Sequence, residues 1–251
     1  MTNDEKPYCK IASTSQEWKD ALGLVYRAYR TSGLIPPNIY KMRVTPYHSL
    51  PTTEVLIAKI NDQTSDKIDD KTGHDRIICT MSIVGDGKLG LPMENLYLEE
   101  IKKYRSQGKC LAEVSCLANE PDSSFSTVSQ LMSLIAQCAS CRGIDQLLIV
   151  VHPQHVKFYQ RFLAFEIIGE QKTCPSVCDN LAVAMAMHTI KMDTSKIHTS
   201  KMDINNMEIY RPRAYNRLYG TPFDAGVLQY CPISTELQDE MRLIASETYV
   251  G

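Results

Sequence analysis

The chain has 251 residues, 43% apolar and 22% charged, with a formal net charge of −2. That is the composition of a globular protein long enough for one large domain, or for one domain with an extension, and it offers no basic surface to nucleic acid. No apolar run reaches the roughly 18 residues of a membrane span, and the polar start MTNDEKPYCK lacks the apolar stretch of a secretory signal, so no transmembrane segment and a cytoplasmic location are expected.

Thr14-Ser-Gln-Glu17 has the form of a capping box. Trp18, Leu22, Val25 and Tyr29 follow at helical spacing, which predicts an amphipathic helix over 15–31 that stops before Gly33 and Pro36-Pro37. An irregular stretch to about residue 52 precedes two strand-like runs, EVLIAKI (54–60) and RIICTMSIV (76–84), with a long polar hairpin loop between them. GKLGLPMENLYLEEIKKYRSQG reads as a turn and a short helix, with Leu96 or Tyr97, Ile101 and Tyr104 inward and Gly108 as its stop. A strand over 109–118 ends before Pro121. Ser123, Ser124, Ser126 and Thr127 then open a helix whose apolar face is Val128, Leu131, Met132, Ile135 and Ala139. QLLIVV (146–151) is a buried strand, PQHVKFYQRFL a short helix with Pro153 near its start, and AFEIIGE and LAVAMAMHTI the last strands. The order predicts an α/β (α+β) layer with a mixed central sheet flanked by helices. After residue 190 the texture changes: KMD recurs ten residues apart in a polar linker, a Pro- and Tyr-rich part follows, and a terminal helix is opened by Thr235-x-x-Gln238. The expected division is a domain over 1–190 and a C-terminal extension over 191–251.

Nine cysteines, an odd number, lie mostly in apolar segments, as reduced buried thiols do. Cys138/Cys141 and Cys174/Cys178 could together form a four-thiolate site, but Cys138 is mid-helix, where zinc knuckles are rare. His152 and His155 in HPQH lack a third ligand with a motif. No metal is expected.

In KCLAEVSCLANE (109–120) a carboxylate, Glu113, stands in an apolar run. Burying it unpaired costs several kcal/mol or forces it neutral, so it is an edge residue, a paired residue or a working one. AEVSCLANE, the helix after it and LLIVVHPQHVKFYQRFLAFEIIGE resemble the core of the GNAT acyltransferases. Within that superfamily the chain is most similar to the long-chain N-acyl amino acid synthases, relatives of the acyl-homoserine-lactone synthases. YRAYRTSGLIPPN, LGLPMENLYLEEIKKYRSQGKCLAEVSCLA and CPSVCDNLAVAMAM match the same group in order, over roughly residues 15–190.

The resemblance implies transfer of a fatty acyl group from a phosphopantetheine thioester to an amine, with no tightly bound cofactor. The donor arm would lie in a gap between strands 109–118 and 146–151, with Glu113 looking into the opening. Glu113 would serve as base and Tyr159 as proton donor to the departing thiolate. Backbone N–H groups at Cys116, Leu117 and Ala118 would face the oxyanion, and Ser124, Phe125 and Ser126 would meet the pantetheine phosphate. Arg27 and Arg30 would hold an acceptor's carboxylate with Ser115 beside it, or else are surface ion pairs. NEPDSSFSTVS, where CoA-using relatives carry a Gly-rich pyrophosphate loop, has no glycine, which favours acyl carrier protein over acyl-CoA as donor and partner. The usual LGF reads LAF at Leu163–Phe165, and Thr45 and His48 stand near the place of an acidic pair. The expected activity is acyl transfer from acyl carrier protein to the amine of an amino acid or related small molecule. The alternatives are a CoA-dependent N-acyltransferase and a non-catalytic module that kept the acyl pocket.

Overall fold

The computed structural model describes residues 7–61, 75–190, 212–221 and 223–249. The long hairpin loop and the KMD-bearing linker lie outside the described residues.

Helix α1 (Ser15–Thr31) starts where the capping signal places it: Thr14 Oγ1 accepts the Glu17 N–H. The reciprocal half differs. The Glu17 carboxylate takes the Ser13 N–H at 2.8 Å together with Lys10 and Lys59, two cations that draw it outward from the cap. Ahead of α1, a strand unmarked in the sequence, β1 (Tyr8–Ile11), pairs with β2 (Thr53–Asn61). The stretch between α1 and β2 carries a 3₁₀ turn, Pro46–Ser49. β3 (Asp75–Gly85), the kinked helix α2 (Glu94–Ser106) and β4 (Leu111–Asn119) follow, the last beginning two residues later than expected. Tyr97, at the kink of α2, is the inward residue of the Leu96/Tyr97 pair, and its hydroxyl donates to Ala182 O at 2.8 Å.

β4, helix α3 (Phe125–Cys141) and β5 (Gln146–Val151) form one crossover, so β4 and β5 are parallel. Both faces of this pair are covered, which explains two near-continuous apolar runs. A 3₁₀ turn at Pro153–His155 leads into α4 (Val156–Phe162), then into short strands β6 (Glu166–Ile167) and β7 (Lys172–Cys174), and into β8 (Asn180–His188). The strand order is β1-β2-β3-β4-β5-β8-β6, with β7 on the start of β8 and every pairing but β4–β5 antiparallel. This is the expected mixed sheet flanked by helices.

Two more helices complete the layers. α5 (Pro212–Tyr219) sends Ala214, Tyr215, Leu218 and Tyr219 into the core between the sheet and α3/α4. α6 (Thr235–Thr248) sends Leu237, Met241, Ile244 and Ala245 against Trp18, Leu22 and Val25 of α1 on the other face. Its cap is Ser234, one residue before the expected Thr235, because Ser234 Oγ accepts the Leu237 N–H.

Candidate active site

The β4–β5 ladder runs from Leu111 opposite Gln146 to Val114 opposite Ile149 and stops, although β4 continues to Asn119 and β5 to Val151. Beyond those pairs the strands part. β4 stays with β3, but with a shifted register: Ser115 faces Ser82 and Ala118 faces Thr80, which leaves β4 one residue longer across the interval. The extra residue is a β-bulge, and Cys116 in it has φ 53°, a left-handed conformation that costs a non-glycine residue about 1–2 kcal/mol. The bulge resets the alternation of β4. Ala112 and Val114 point to the α3 side, Leu117 regains that side, and Cys116 and Ala118 point to the α1 side. A strand with a bulge at its parting point leaves main-chain groups outside the ladder.

Glu113 lies one residue inside the last paired position, between Val84 and Leu148. It does not open into the gap. Strand alternation turns it to the α2 side, where it is 4% exposed and its carboxylate accepts the Met93 N–H at 2.8 Å. Burial pushes its pKa up to about 8, helped by the charge on Glu94 and opposed by the Met93 N–H. A carboxyl poised near neutrality beside a parted strand is placed for proton transfer.

Tyr159 is buried on α4, edge-on to Phe158 and Phe165, and burial raises its phenol to about 12. Tyr29 of α1 is raised by burial first and then by Cys116, with Arg43 opposing and Tyr159 adding to the rise. On the donor side Ser124 caps α3 by accepting the Thr127 N–H, and Ser126 accepts from Gln130. Phe125 is exposed and packs edge-on against Phe158 and Phe162, with the Arg217 guanidinium over the Phe125 and Phe162 rings.

Arg27 and Arg30 are both exposed on α1, and Arg30 Nη1 is held by Ile35 O at 3.0 Å. Ser115, half-buried, lies beside Cys116. The sequence reading missed Arg43, which is 7% exposed and donates from Nη2 to Ser176 O at 3.0 Å. It also missed Tyr249, just beyond α6, whose ring centroid is 5.0 Å from the Arg43 guanidinium carbon. Nothing in the tail's sequence signals that its last residues reach this site. His48 is buried and pinned. Its Nδ1 accepts the Thr45 N–H at 2.9 Å, so Nε2 carries the proton and donates to Ser82 Oγ at 3.1 Å. Burial, then Arg43, lowers its pKa to about 4, and the ring is neutral at pH 7.

A cavity of about 990 Å³ opens at the other end of β4, beside Cys110, Leu111, Glu54 and Arg142, and neither Glu113, Tyr159, Arg43 nor Tyr249 lines it. Among the described residues no three His, Cys, Asp or Glu side chains gather to hold a metal, and no helix is long and apolar enough to cross a membrane.

A family model described as N-acyl amino acid synthase FeeM matches residues 20–188. Among solved structures the fold is similar to that of FeeM, an N-acyl amino acid synthase from uncultured soil microbes. The TM-score is 0.60 at 24% identity, over 73% of this chain and 92% of that one. The CoA-dependent acyl-homoserine lactone synthase BjaI aligns with a TM-score of 0.55 at 11% identity, over 95% of this chain and 99% of that one. The acyl-homoserine-lactone synthase LasI aligns with a TM-score of 0.52 at 15% identity, over 73% and 90%. At these identities the structural likeness speaks to fold alone. Among curated proteins none matches.

Proposed function

The chain belongs to the N-acyl amino acid synthase FeeM family and is an acyltransferase, and from that premise we propose that it moves a medium- or long-chain fatty acyl group from acyl carrier protein to the amine of an amino acid or related small molecule. The observation that supports this most is the parting of β4 from β5 directly beyond the buried, proton-holding Glu113.

In this reading the phosphopantetheine arm lies in the gap, and the bulge at Cys116 to Ala118 turns backbone N–H groups toward the thioester carbonyl. The amine nitrogen attacks the carbonyl carbon, the C–N bond forms and the C–S bond breaks. The proton shed by nitrogen passes to ionised Glu113, directly or through a water, because the carboxylate is turned to the α2 side. The thiolate takes a proton from Tyr159, whose raised pKa keeps it protonated until that moment. The balance is thioester plus amine to amide plus thiol. Ser124, Phe125 and Ser126, at the start of α3, meet the single phosphate of the pantetheine arm, and Arg27 and Arg30 line the outer approach of the acceptor. The glycine-free loop before α3 favours carrier protein over CoA, whose pyrophosphate calls for closer backbone approach.

The test is incubation of pure protein with acyl carrier protein charged with chains of several lengths, with the matching acyl-CoAs in parallel, and a mixture of amino acids, read by mass spectrometry. N-acyl products from the carrier-protein arm are expected. Products from acyl-CoA alone move the donor assignment, and no product from any donor sinks the reading.

A further inference from the structure

Among the described residues the half-buried arginines have partners of opposite charge, and the one buried arginine does not. Arg105 is held by Asp86 and Glu94, and Arg142 by Glu54. Arg43 is more buried than either, and among the described residues no carboxylate pairs with it. Among the described residues its side chain has one hydrogen bond, to Ser176 O, and one aromatic neighbour, Tyr249, while its backbone N–H donates to Leu22 O at 3.1 Å and fixes it against α1. A guanidinium carries five N–H donors in a planar fork; of its nitrogens Nη2 is bonded to Ser176 O, and none is both sealed from solvent and without a partner, so the rest of the fork stays reachable. A tyrosine stacked on its face stabilises the cation and leaves the edge of the fork free.

Leu22, whose carbonyl takes the Arg43 N–H, packs in the same core cluster as Cys116 of the bulge, which places Arg43 on the α1 side near the parting of β4. Burial raises Cys116 at the bulge, Tyr29 of α1 and Tyr249, and the Arg43 charge opposes that rise in all three; Tyr249 also feels Glu113. Tyr249, over the Arg43 guanidinium, closes the same neighbourhood.

We propose that Arg43 holds the α-carboxylate of the acceptor amino acid, with Tyr249 of the C-terminal extension as the wall over that site. This rests on the acyltransferase reading above and adds the acceptor's chemistry to it. A carboxylate takes two parallel N–H bonds from a guanidinium edge. Because an α-amino acid carries its amine one carbon away, holding the carboxylate at Arg43 fixes the nitrogen within a few ångströms on the bulge side. Tyr249 lies outside the residues 20–188 matched by the family model, so the extension contributes a wall of its own to the site.

The test compares one amino acid with its carboxamide and its decarboxylated amine, at saturating acyl donor. The wild type is expected to favour the amino acid by at least tenfold in kcat/KM. Arg43→Gln raises the KM for the amino acid by at least tenfold, leaves the donor KM unchanged and erases the preference, and Arg43→Lys restores only part of it. Tyr249→Ala raises the acceptor KM several-fold with no change in the donor KM. A wild type indifferent to the carboxylate, or an Arg43→Gln that weakens all three acceptors equally, overturns the assignment. Should Arg43→Gln not fold, the wild-type acceptor series decides. Should no donor give product, the acyl-transfer reading fails separately. Calorimetry with an N-acyl amino acid and its carboxamide then tests Arg43, because equal affinity for the two overturns it.

Discussion

The Glu113 carboxylate accepts the Met93 amide at 2.8 Å, and it is the one hydrogen bond that opposes the burial of this group. One N–H is too little to hold a carboxylate ionised between Val84 and Leu148, so the proton stays on at pH 7. A base of this kind works above its pKa. The rate of amide formation should rise with pH and level off above about 8. Glu113→Gln keeps an acceptor for Met93 and should lower kcat by about 10²- to 10⁴-fold while removing that inflection. An inflection that survives in the variant assigns the base elsewhere.

The same group makes stability depend on pH. In the unfolded chain it ionises near its ordinary 4.5, whereas in the fold it keeps its proton to about 8. The folded state therefore binds the extra proton between those values. Its contribution is whole below 4.5 and is lost as pH rises through 8. Urea titrations across pH 5 to 9 should show wild-type stability falling with a slope that Glu113→Gln flattens.

The crossover at the centre of the fold was legible because β4, α3 and β5 each carry a strong signal: long apolar runs, a hydroxyl-rich cap and helical spacing. The parting of β4 from β5 was legible only through family resemblance, since no local pattern in LAEVSCLA marks Cys116 as left-handed. Glu113 was singled out as an edge, paired or working residue looking into the opening, whereas it is 4% exposed and turned to the Met93 amide, because facing follows from register and not from the residue. β1 was missed because four residues show too little alternation, and α5 because its eight residues, dense in tyrosine and arginine, are too short to show an apolar period, although Pro212 at its start and Gly220 after its end are helix signals. Arg43 and Tyr249 meet across about two hundred residues of chain, a contact made by the packing of α6 against the Pro46–Ser49 turn and the cluster it shares with α1.

Tyr159→Phe removes only the hydroxyl and keeps the edge-on contacts with Phe158 and Phe165. If the hydroxyl protonates the thiolate, kcat should fall by about 10²-fold or more with stability nearly unchanged. The loss should shrink with an activated thioester whose leaving thiol has a low pKa, because that thiolate departs without a proton. An equal loss on both donors, measured in single turnover, would mean that the hydroxyl positions the arm instead.

Ala164 sits at φ 58° just after α4, a conformation that suits glycine, while the Leu163 and Phe165 N–H groups both reach back to Tyr159 O. Strain there costs roughly 1–2 kcal/mol, against about 0.8 kcal/mol for the buried methyl. Relief wins by a small margin, so Ala164→Gly should be neutral or stabilising by up to about 1 kcal/mol. Ala136→Gly, inside α3 and fully buried, is the control of opposite sign, expected to cost about 1.5–2 kcal/mol. Urea midpoints for the pair check this, and a destabilised Ala164→Gly would show that the methyl matters more than the backbone.

Glu54 is 4% exposed at the far cavity, and its counter-charge is Arg142, which also donates from Nη1 to Cys138 O while its Nε stays buried without a partner. Burial raises the Glu54 carboxyl and Arg142 opposes that rise. Removing the cation by Arg142→Met leaves Glu54 buried and unanswered, a change expected to cost about 3–5 kcal/mol at pH 7. The sign with pH follows. Without Arg142 the folded-state pKa of Glu54 climbs further, the folded state takes up a proton that the unfolded chain lacks, and the deficit should shrink as pH falls toward 5. Adding Glu54→Leu to Arg142→Met removes the orphaned charge and should recover most of the lost stability at every pH. A double variant no more stable than Arg142→Met would show that the arginine acts through its packing on α3 and not through the carboxylate.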